Sequence, residues 1–360
     1  MKIGIDISQT AFHGTGVARF TEGLIQCISS DKYNEWTLFF SSLRQKPDQR
    51  LLQHTIKLKQ YRLPPSLLSF LWNKIHILDM KNFVGPQDWF ITSDWTEPPF
   101  KSARKATIVH DLTFRRFPEV VDPMIRDTQE KRLQRVAKES DIIFVDSQST
   151  ATDLSHYYTI PCKRIAVNYP GVEIVNPTES DIVTTKLKYA LHKSFILAVG
   201  KIEPRKNLKR LVEAYKKLNQ TDVELVIAGP PGWDKLDANQ VENVRFLGYV
   251  SDSELSSLYR LCMFFMYPSL YEGFGYPPLE AMLHGCPVTM SNTSSLGEIG
   301  GDACLYFNPE SIEEMSDSIN KMIKDESLRK TLSSKGLIHA KKYSWDRYYH
   351  TMIDKLTSFK

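Results

Sequence analysis

Short apolar runs alternate with longer amphipathic stretches along most of this chain. In the first half, Lys2–Ser8, Trp36–Ser42, Asp88–Ser93, Lys105–Asp111, Asp141–Ser147 and Arg164–Pro170 read as strands. Val17–Ile28 and Arg126–Glu139 lie between them with helical spacing. The second half repeats the scheme, with strands expected at Phe195–Gly200, Glu224–Gly229, Arg245–Val250, Cys262–Pro268 and Pro287–Ser291. Its helices are expected at Leu208–Leu218, Ser253–Arg260 and Pro278–His284. Such alternation predicts an α/β protein with parallel sheets covered on both faces. Gly171, Pro177, Thr178, Ser180 and Asp181 interrupt the pattern, which sets a boundary within Gly171–Thr185. Two doubly wound, Rossmann-like domains facing across a cleft are therefore expected, 1–172 and 173–342. Their ligand would lie at the strand carboxyl ends. A last helix begins near Tyr343, with Ser344 suited to cap it.

Composition narrows the class. At 360 residues, 42% hydrophobic and 24% charged, the chain suits two globular domains. A net charge of +4 is too small to imply a nucleic-acid partner. No apolar run approaches the roughly 18 to 20 residues of a membrane span. Met1 and Lys2 lead straight into a strand-like alternation rather than a signal peptide, so a cytoplasmic location is expected. Five cysteines, Cys27, Cys162, Cys262, Cys286 and Cys304, are widely spaced without a CxxC, and read as buried free thiols. No Asp-x-Asp occurs, so neither metal nor cofactor is expected.

The richest chemistry lies in Glu272-Gly273-Phe274-Gly275-Tyr276-Pro277-Pro278-Leu279-Glu280. Two glycines would let the backbone approach a ligand closely. A residue before proline avoids the α region, so Pro277 is expected outside the following helix and Pro278 at its first position. Glu280 then falls in the first turn, with Gly285 and Pro287 ending the helix. An anionic ligand with hydroxyls at one end, such as a nucleotide-diphosphate sugar, suits this loop.

Arg205 and Lys206 stand at another strand-to-helix turn, in Glu203-Pro204-Arg205-Lys206-Asn207. A guanidinium fork beside a compact ammonium suits a diphosphate, and Asn207 is a natural N-cap. Thr107-Ile108-Val109-His110-Asp111 ends a buried strand with a histidine. Asp111 could orient its ring or turn the loop. His13-Gly14-Thr15-Gly16-Val17 is half a dinucleotide fingerprint, with Arg19 where the third glycine belongs.

The Glu-x7-Glu segment, with Gly-Phe-Gly after the first Glu and Pro278, Leu279, Ala281, Gly285 and Pro287 downstream, resembles the family-4 retaining glycosyltransferases of the GT-B fold. The resemblance implies a retaining, metal-independent transfer of a hexose from a nucleotide diphosphate sugar to a saccharide or lipid-linked hydroxyl. It implies that the terminal helix 343–360 crosses back onto the acceptor-side first domain. It assigns Glu280 to the donor's ribose hydroxyls, and Glu272 to the neighbourhood of the transferred sugar, with Gly273, Phe274, Gly275 and Leu279 lining the donor. Arg205 and Lys206 match the family's Glu-Pro-Arg-Lys-Asn phosphate site, although Lys201 replaces an Arg found in many members. Gly14 and Gly16 would back the diphosphate, and the turn at Val250 would border the base. The Val-His-Asp-Leu-Thr segment resembles members using mannose-type donors, so His110 is expected on the transferred sugar and GDP-mannose is the first choice. With donor residues in one half and His110 in the other, the site would be complete only when the halves meet.

Two other functions fit the same pattern: a nucleotide-sugar epimerase or dehydrogenase on related domains, and a non-catalytic sugar-nucleotide-binding protein. The broken first glycine motif argues against the dehydrogenase. Arg44, Lys46, Arg50, Lys57, Lys59 and Arg62 precede the apolar run Leu63–Trp72. That juxtaposition suggests peripheral contact with an anionic membrane, or else an amphipathic helix packed on its own domain.

Overall fold

The structure, a computed structural model, describes residues 1–12, 14–48, 56–218, 222–232 and 242–359. Two units of the glycine loop and basic run, His13 and Arg50, lie outside the described residues. The chain divides into two compact units, Met1–Gly171 with Tyr343–Lys360, and Val172–Lys342.

The first unit holds a parallel sheet of β1 (Lys2–Asp6), β2 (Glu35–Ser41), β3 (Lys57–Tyr61), β4 (Trp89–Ser93), β5 (Arg104–Val109), β6 (Ile142–Val145) and β7 (Ile165–Val167). Its strand order is β3-β2-β1-β4-β5-β6-β7. The second unit holds β8 (Ser194–Val199), β9 (Val223–Ala228), β10 (Val244–Gly248), β11 (Phe264–Tyr267), β12 (Val288–Ser291) and β13 (Cys304–Phe307), in the order β10-β9-β8-β11-β12-β13. Each order reverses once, between β1 and β4 and between β8 and β11. Doubly wound sheets bind ligands at that reversal, beyond the strand carboxyl ends.

The predicted strands are all present, shortened by one to three residues at one or both ends or begun one residue early. Two edge strands escaped the sequence pattern. In β3, Lys57, Lys59 and Gln60 are exposed while Leu58 packs on the core, a polar composition that protects a sheet edge. The other, β13, is only Cys304–Phe307. The polar residues read as a linker belong instead to a helix start. Thr178 and Asp181 form a reciprocal capping box for helix Glu179–Lys188. The thiols are free, but Cys162 is exposed and only Cys286 and Cys304 are buried.

Helix Gly16–Ser30 buries Phe20, Leu24, Ile25 and Ile28 on the first sheet, against Ile3 and Ile5. The terminal helix Trp345–Ser358, capped by Ser344 through the Arg347 N–H, completes the same core with Trp345, Tyr348 and Met352. Glycine makes this docking fit: a Cβ on Gly23 would stand 2.2 Å from the Trp345 ring, and one on Gly171 would stand 2.2 Å from its backbone nitrogen. Trp345→Ala should therefore cost the first unit about 3–5 kcal/mol of stability. Urea unfolding should show its transition at lower denaturant, whereas an unchanged midpoint would mean that the helix adds little to this core.

Candidate active site

In the second unit, β8 and β11 flank the sheet's reversal, and the loops after them meet around one carboxylate. Arg205 donates from Nη1 to Glu272 Oε2 at 2.8 Å and to the Tyr271 carbonyl at 2.8 Å. Lys206 Nζ donates to Glu272 Oε1 at 2.6 Å and to Tyr267 Oη at 2.8 Å. The Tyr267 and Ser269 hydroxyls also donate to Oε1, at 2.9 and 2.6 Å. Burial by itself would raise the Glu272 pKa, but Arg205, Lys206 and these hydrogen bonds outweigh it and bring it down to about 2. Burial also lowers the Lys206 pKa, against the pull of Glu272. Glu203 accepts from Arg205 Nη2 at 2.9 Å. Two carboxylates thus neutralise the two cations, a balance that the sequence reading of Arg205 and Lys206 as a bare phosphate site did not include.

The loop after β12 fixes the glycine loop. Ser294 Oγ accepts from the Glu272 N–H at 3.0 Å, and Ser295 Oγ donates to the carbonyls of Glu272 and Phe274. Helix Tyr276–Leu283 begins sooner than expected, with Gly275 at its N-cap position. Both prolines lie inside the first turn, where a missing N–H leaves no bond unmade. Glu280 consequently lies in the second turn, partly buried, and its Oε2 accepts from Tyr259 Oη at 3.3 Å. Gly275 (φ 127°) is required by packing behind the loop, since a Cβ there would stand 2.6 Å from Ile299 Cδ1. Phe274 and Leu279 are buried side chains, so either could meet a ligand only through its backbone. The same holds for Val250, buried after the exposed Tyr249 and before helix Asp252–Leu261. Gly273 is buried within the same loop. Asn207 stands at the N-cap position of helix Leu208–Lys216 without capping it; its amide instead donates to the carbonyls of Pro268 and Pro309, at 3.0 and 2.7 Å.

In the first unit, His110 follows β5 and Asp146 follows β6. The register pairs Val109 with Val145, which sets the two side chains abreast. His110 Nδ1 lies 2.7 Å from Asp146 Oδ2, and Nε2 lies 3.3 Å from Ser93 Oγ. The Phe20 ring meets the imidazole edge-on at 4.6 Å. Burial disfavours the imidazolium, but Asp146 and then Asp94 overcome it and hold the His110 pKa above its ordinary value. Asp111, one candidate for this orienting role, turns the loop by accepting from the Thr113 N–H at 2.8 Å. Asp146 was missed, although a polar residue at matching positions after neighbouring parallel strands is a readable signal. Gly14 (φ 79°) and Gly16 precede and open helix Gly16–Ser30, with open space where each Cβ would stand.

Residues 183–337 match the family of glycosyl transferases group 1. The second unit carries a group 1 glycosyl transferase domain. Across 96% of this glycosyltransferase and 97% of the relative, it is 28% identical to the O-antigen chain mannosyltransferase B of Escherichia coli. It is also 32% identical to the serotype-specific mannosyltransferase WbdA of Escherichia coli, over 66% of this chain but 31% of that longer protein. Its fold matches sucrose-phosphate synthase from Thermosynechococcus elongatus with a TM-score of 0.73 at 18% identity, over 98% and 97% of the two chains. Anabaena HepE, solved with UDP-glucose, matches at 0.73 and 16% identity over 99% and 100%. Among the functions that the sequence left open, glycosyl transfer is the one selected.

The Glu272 cluster gives the glycosyltransferase a defined acid response. Its folded pKa, about 2, lies below the ordinary 4.5, so the carboxylate stabilises the fold fully above about pH 4.5 and loses that contribution as pH falls towards 2. Glu272→Gln should destabilise the second unit by about 3 kcal/mol at neutral pH. Chemical denaturation between pH 7 and 3 should show that difference shrinking in acid; a constant difference would mean that charge compensation is not its source.

Proposed function

We propose that this glycosyltransferase moves a hexose, with mannose from GDP-mannose as first choice, to a hydroxyl of a saccharide or lipid-linked acceptor. Retention at the anomeric carbon and independence from metal are part of the proposal. The Arg205–Lys206–Glu272 cluster at the reversal of the second sheet carries this reading. The donor's diphosphate would exchange with the carboxylates that occupy Arg205 and Lys206, and the freed Glu272 would turn to the transferred sugar. The two cations would then oppose the charge that grows on the leaving diphosphate. Glu280 would accept from the ribose hydroxyls, while backbone groups at Gly273, Phe274, Gly275, Leu279 and Val250 line the nucleotide. Gly14 and Gly16 would back the diphosphate, and His110, held by Asp146, would donate to the transferred sugar.

In the reaction, the acceptor oxygen bonds to the anomeric carbon as the bond from that carbon to the phosphate oxygen breaks. The departing diphosphate takes the acceptor's proton on the same face. Positioning and electrostatics supply the rate. Mannose as the transferred sugar is supported by relatives named as mannosyltransferases, one of them 28% identical over nearly the full length. A sugar nucleotide as donor is supported by the UDP-glucose complex of HepE. GDP-mannose should raise the melting temperature of the wild type more than UDP-hexoses do. Glu280→Ala should weaken GDP binding roughly 10- to 150-fold, as loss of charge-assisted hydrogen bonds worth about 1.5–3 kcal/mol implies. Glu272→Gln should lower turnover more than it weakens GDP binding, since GDP lacks the sugar. Tight GDP binding by Glu280→Ala, with binding lost in Glu272→Gln, would invert the assignment.

The segment after β3 supports peripheral attachment to an anionic membrane, on its inner face if the enzyme is cytoplasmic. Leu68 and Trp72 are buried, while Leu67, Phe70, Ile75, Ile77 and Leu78 are exposed. Exposed Arg62, Lys74 and Lys81 lie in the same stretch, with Lys74 Nζ 5.6 Å from the Phe70 ring centre. No helix among the described residues is long and apolar enough to cross a membrane. Exposed apolar groups among cations suit an anionic surface. Phe70→Ser should reduce sedimentation with phosphatidylglycerol vesicles and leave neutral vesicles unbound; equal sedimentation with both vesicle types would refute the attachment.

A further inference from the structure

Cys262 stands at the end of helix Asp252–Leu261, and Cys286 shortly after helix Tyr276–Leu283. Their Sγ atoms lie 3.2 Å apart, although 24 residues separate them along the chain. Strand register explains the meeting. Phe265 of β11 pairs with Val288 of β12, and the Phe265 N–H donates to the Pro287 carbonyl at 2.9 Å. Counting back in that register sets Met263 opposite Cys286, with Cys262 one residue earlier. Neighbouring strands with that offset place Cα atoms about 6 Å apart, inside the range of about 4.4–6.8 Å that a disulfide spans.

Cys286 is buried, with 3% of its surface exposed, whereas Cys262 is only partly buried and reaches solvent. Each sulfur lies 3.5 Å from a main-chain carbonyl, that of Tyr259 for Cys262 and that of Pro287 for Cys286. Burial holds the Cys262 thiol above its ordinary value, and contact with Cys286 adds to that. Thiolate is therefore scarce near neutral pH, and the pair stays reduced until an oxidant persists. One helical turn before Cys262, Tyr259 Oη donates to Glu280 Oε2 at 3.3 Å, and its ring stacks on His284. A bond between the two sulfurs would join the two helices that meet at Glu280.

We propose that Cys262 and Cys286 are a site of reversible disulfide formation, a staple between the ends of these two helices. A peroxide supplies the oxidising equivalents. The Cys262 thiolate attacks one oxygen of hydrogen peroxide, the O–O bond breaks, and the departing hydroxide takes a proton and leaves as water. Cys262 is then a sulfenic acid. Cys286 gives up its proton and attacks that sulfur, so the S–S bond forms as the S–O bond breaks and a second water leaves. Two thiols and one peroxide become one disulfide and two waters, with the sulfurs oxidised and the peroxide oxygens reduced. A dithiol reductant reverses the bond by exchange. The link closes a loop of about 25 residues in the unfolded chain and thereby stabilises the second unit.

The test uses the full chain, with Cys162→Ser removing the exposed thiol as a source of links between molecules. Hydrogen peroxide is applied at about pH 8.5, where more of a thiol with raised pKa is ionised. Chymotryptic mapping without reductant should recover the peptides holding Cys262 and Cys286 as one linked species, which dithiothreitol separates. The melting temperature of the second unit should rise by at least about 4 °C and return on reduction. Cys262→Ser and Cys286→Ser should each lose both responses. The partly buried position of Cys262 keeps the test readable should Cys286→Ser fail to fold. A link to Cys304 instead, or oxidation of Cys262 to a sulfinic acid without any link, would overturn the site. A Cys262–Cys286 link that leaves the melting temperature unchanged would overturn the staple.

Discussion

Parallel strands joined by crossovers bring all their carboxyl ends to one edge of a sheet, and each sheet here reverses its order once. At such an edge the backbone has left the ladder and polar groups gather without breaking strand pairing. Every residue with a candidate chemical role follows from this constraint. His110 and Asp146 stand just beyond neighbouring strands of the first unit, and Arg205, Lys206 and Glu272 stand beyond the two central strands of the second.

Charge balance then decides what the second edge can do. A carboxylate as buried as Glu272 stays ionised because two cations and two hydroxyls hold it. The same contacts restrain Arg205 and Lys206, long side chains that would otherwise lose order in solvent. The cluster is thus a site whose cations are already oriented while their charge is offset internally. Arg205 meets two carboxylates, Glu203 and Glu272, and Lys206 shares Glu272 with it. In the first unit the balance is reversed: Asp146 and Asp94 surround His110 and favour its charged, donating form.

One stretch of the first unit presents apolar side chains both to the core and to solvent. Leu68 and Trp72, four residues apart, point into the core with Phe39 and Met80. Leu67 and Phe70, three apart, stand outside. Helical spacing separates the two sets, so the packed helix and the exposed apolar face coexist in Leu63–Trp72 rather than exclude each other.

Much of the fold was legible because core-facing residues must recur with the period of their element. Most strands were visible from their apolar runs; β3 was not, because its exposed Lys57, Lys59 and Gln60 leave few apolar positions, and β13 was not, because it is only four residues long. Local chemistry was legible in part: the turn holding Arg205 and Lys206 and the histidine after β5 stand where residue type and neighbours predict, whereas the helix after Gly275 begins sooner than its prolines suggest and carries Glu280 in its second turn. Partnership was not. Asp146 as the partner of His110, Glu203 and Glu272 as partners of the cations, Asn207 as a tie to Pro268 and Pro309, and Gly275 as a seat for Ile299 all depend on segments distant along the chain. The sequence by itself determined which elements form and which functional groups sit at their ends, because propensity and periodicity act over a few residues. Only the tertiary structure decided which of those groups touch, since strand order and register join residues that no local pattern connects.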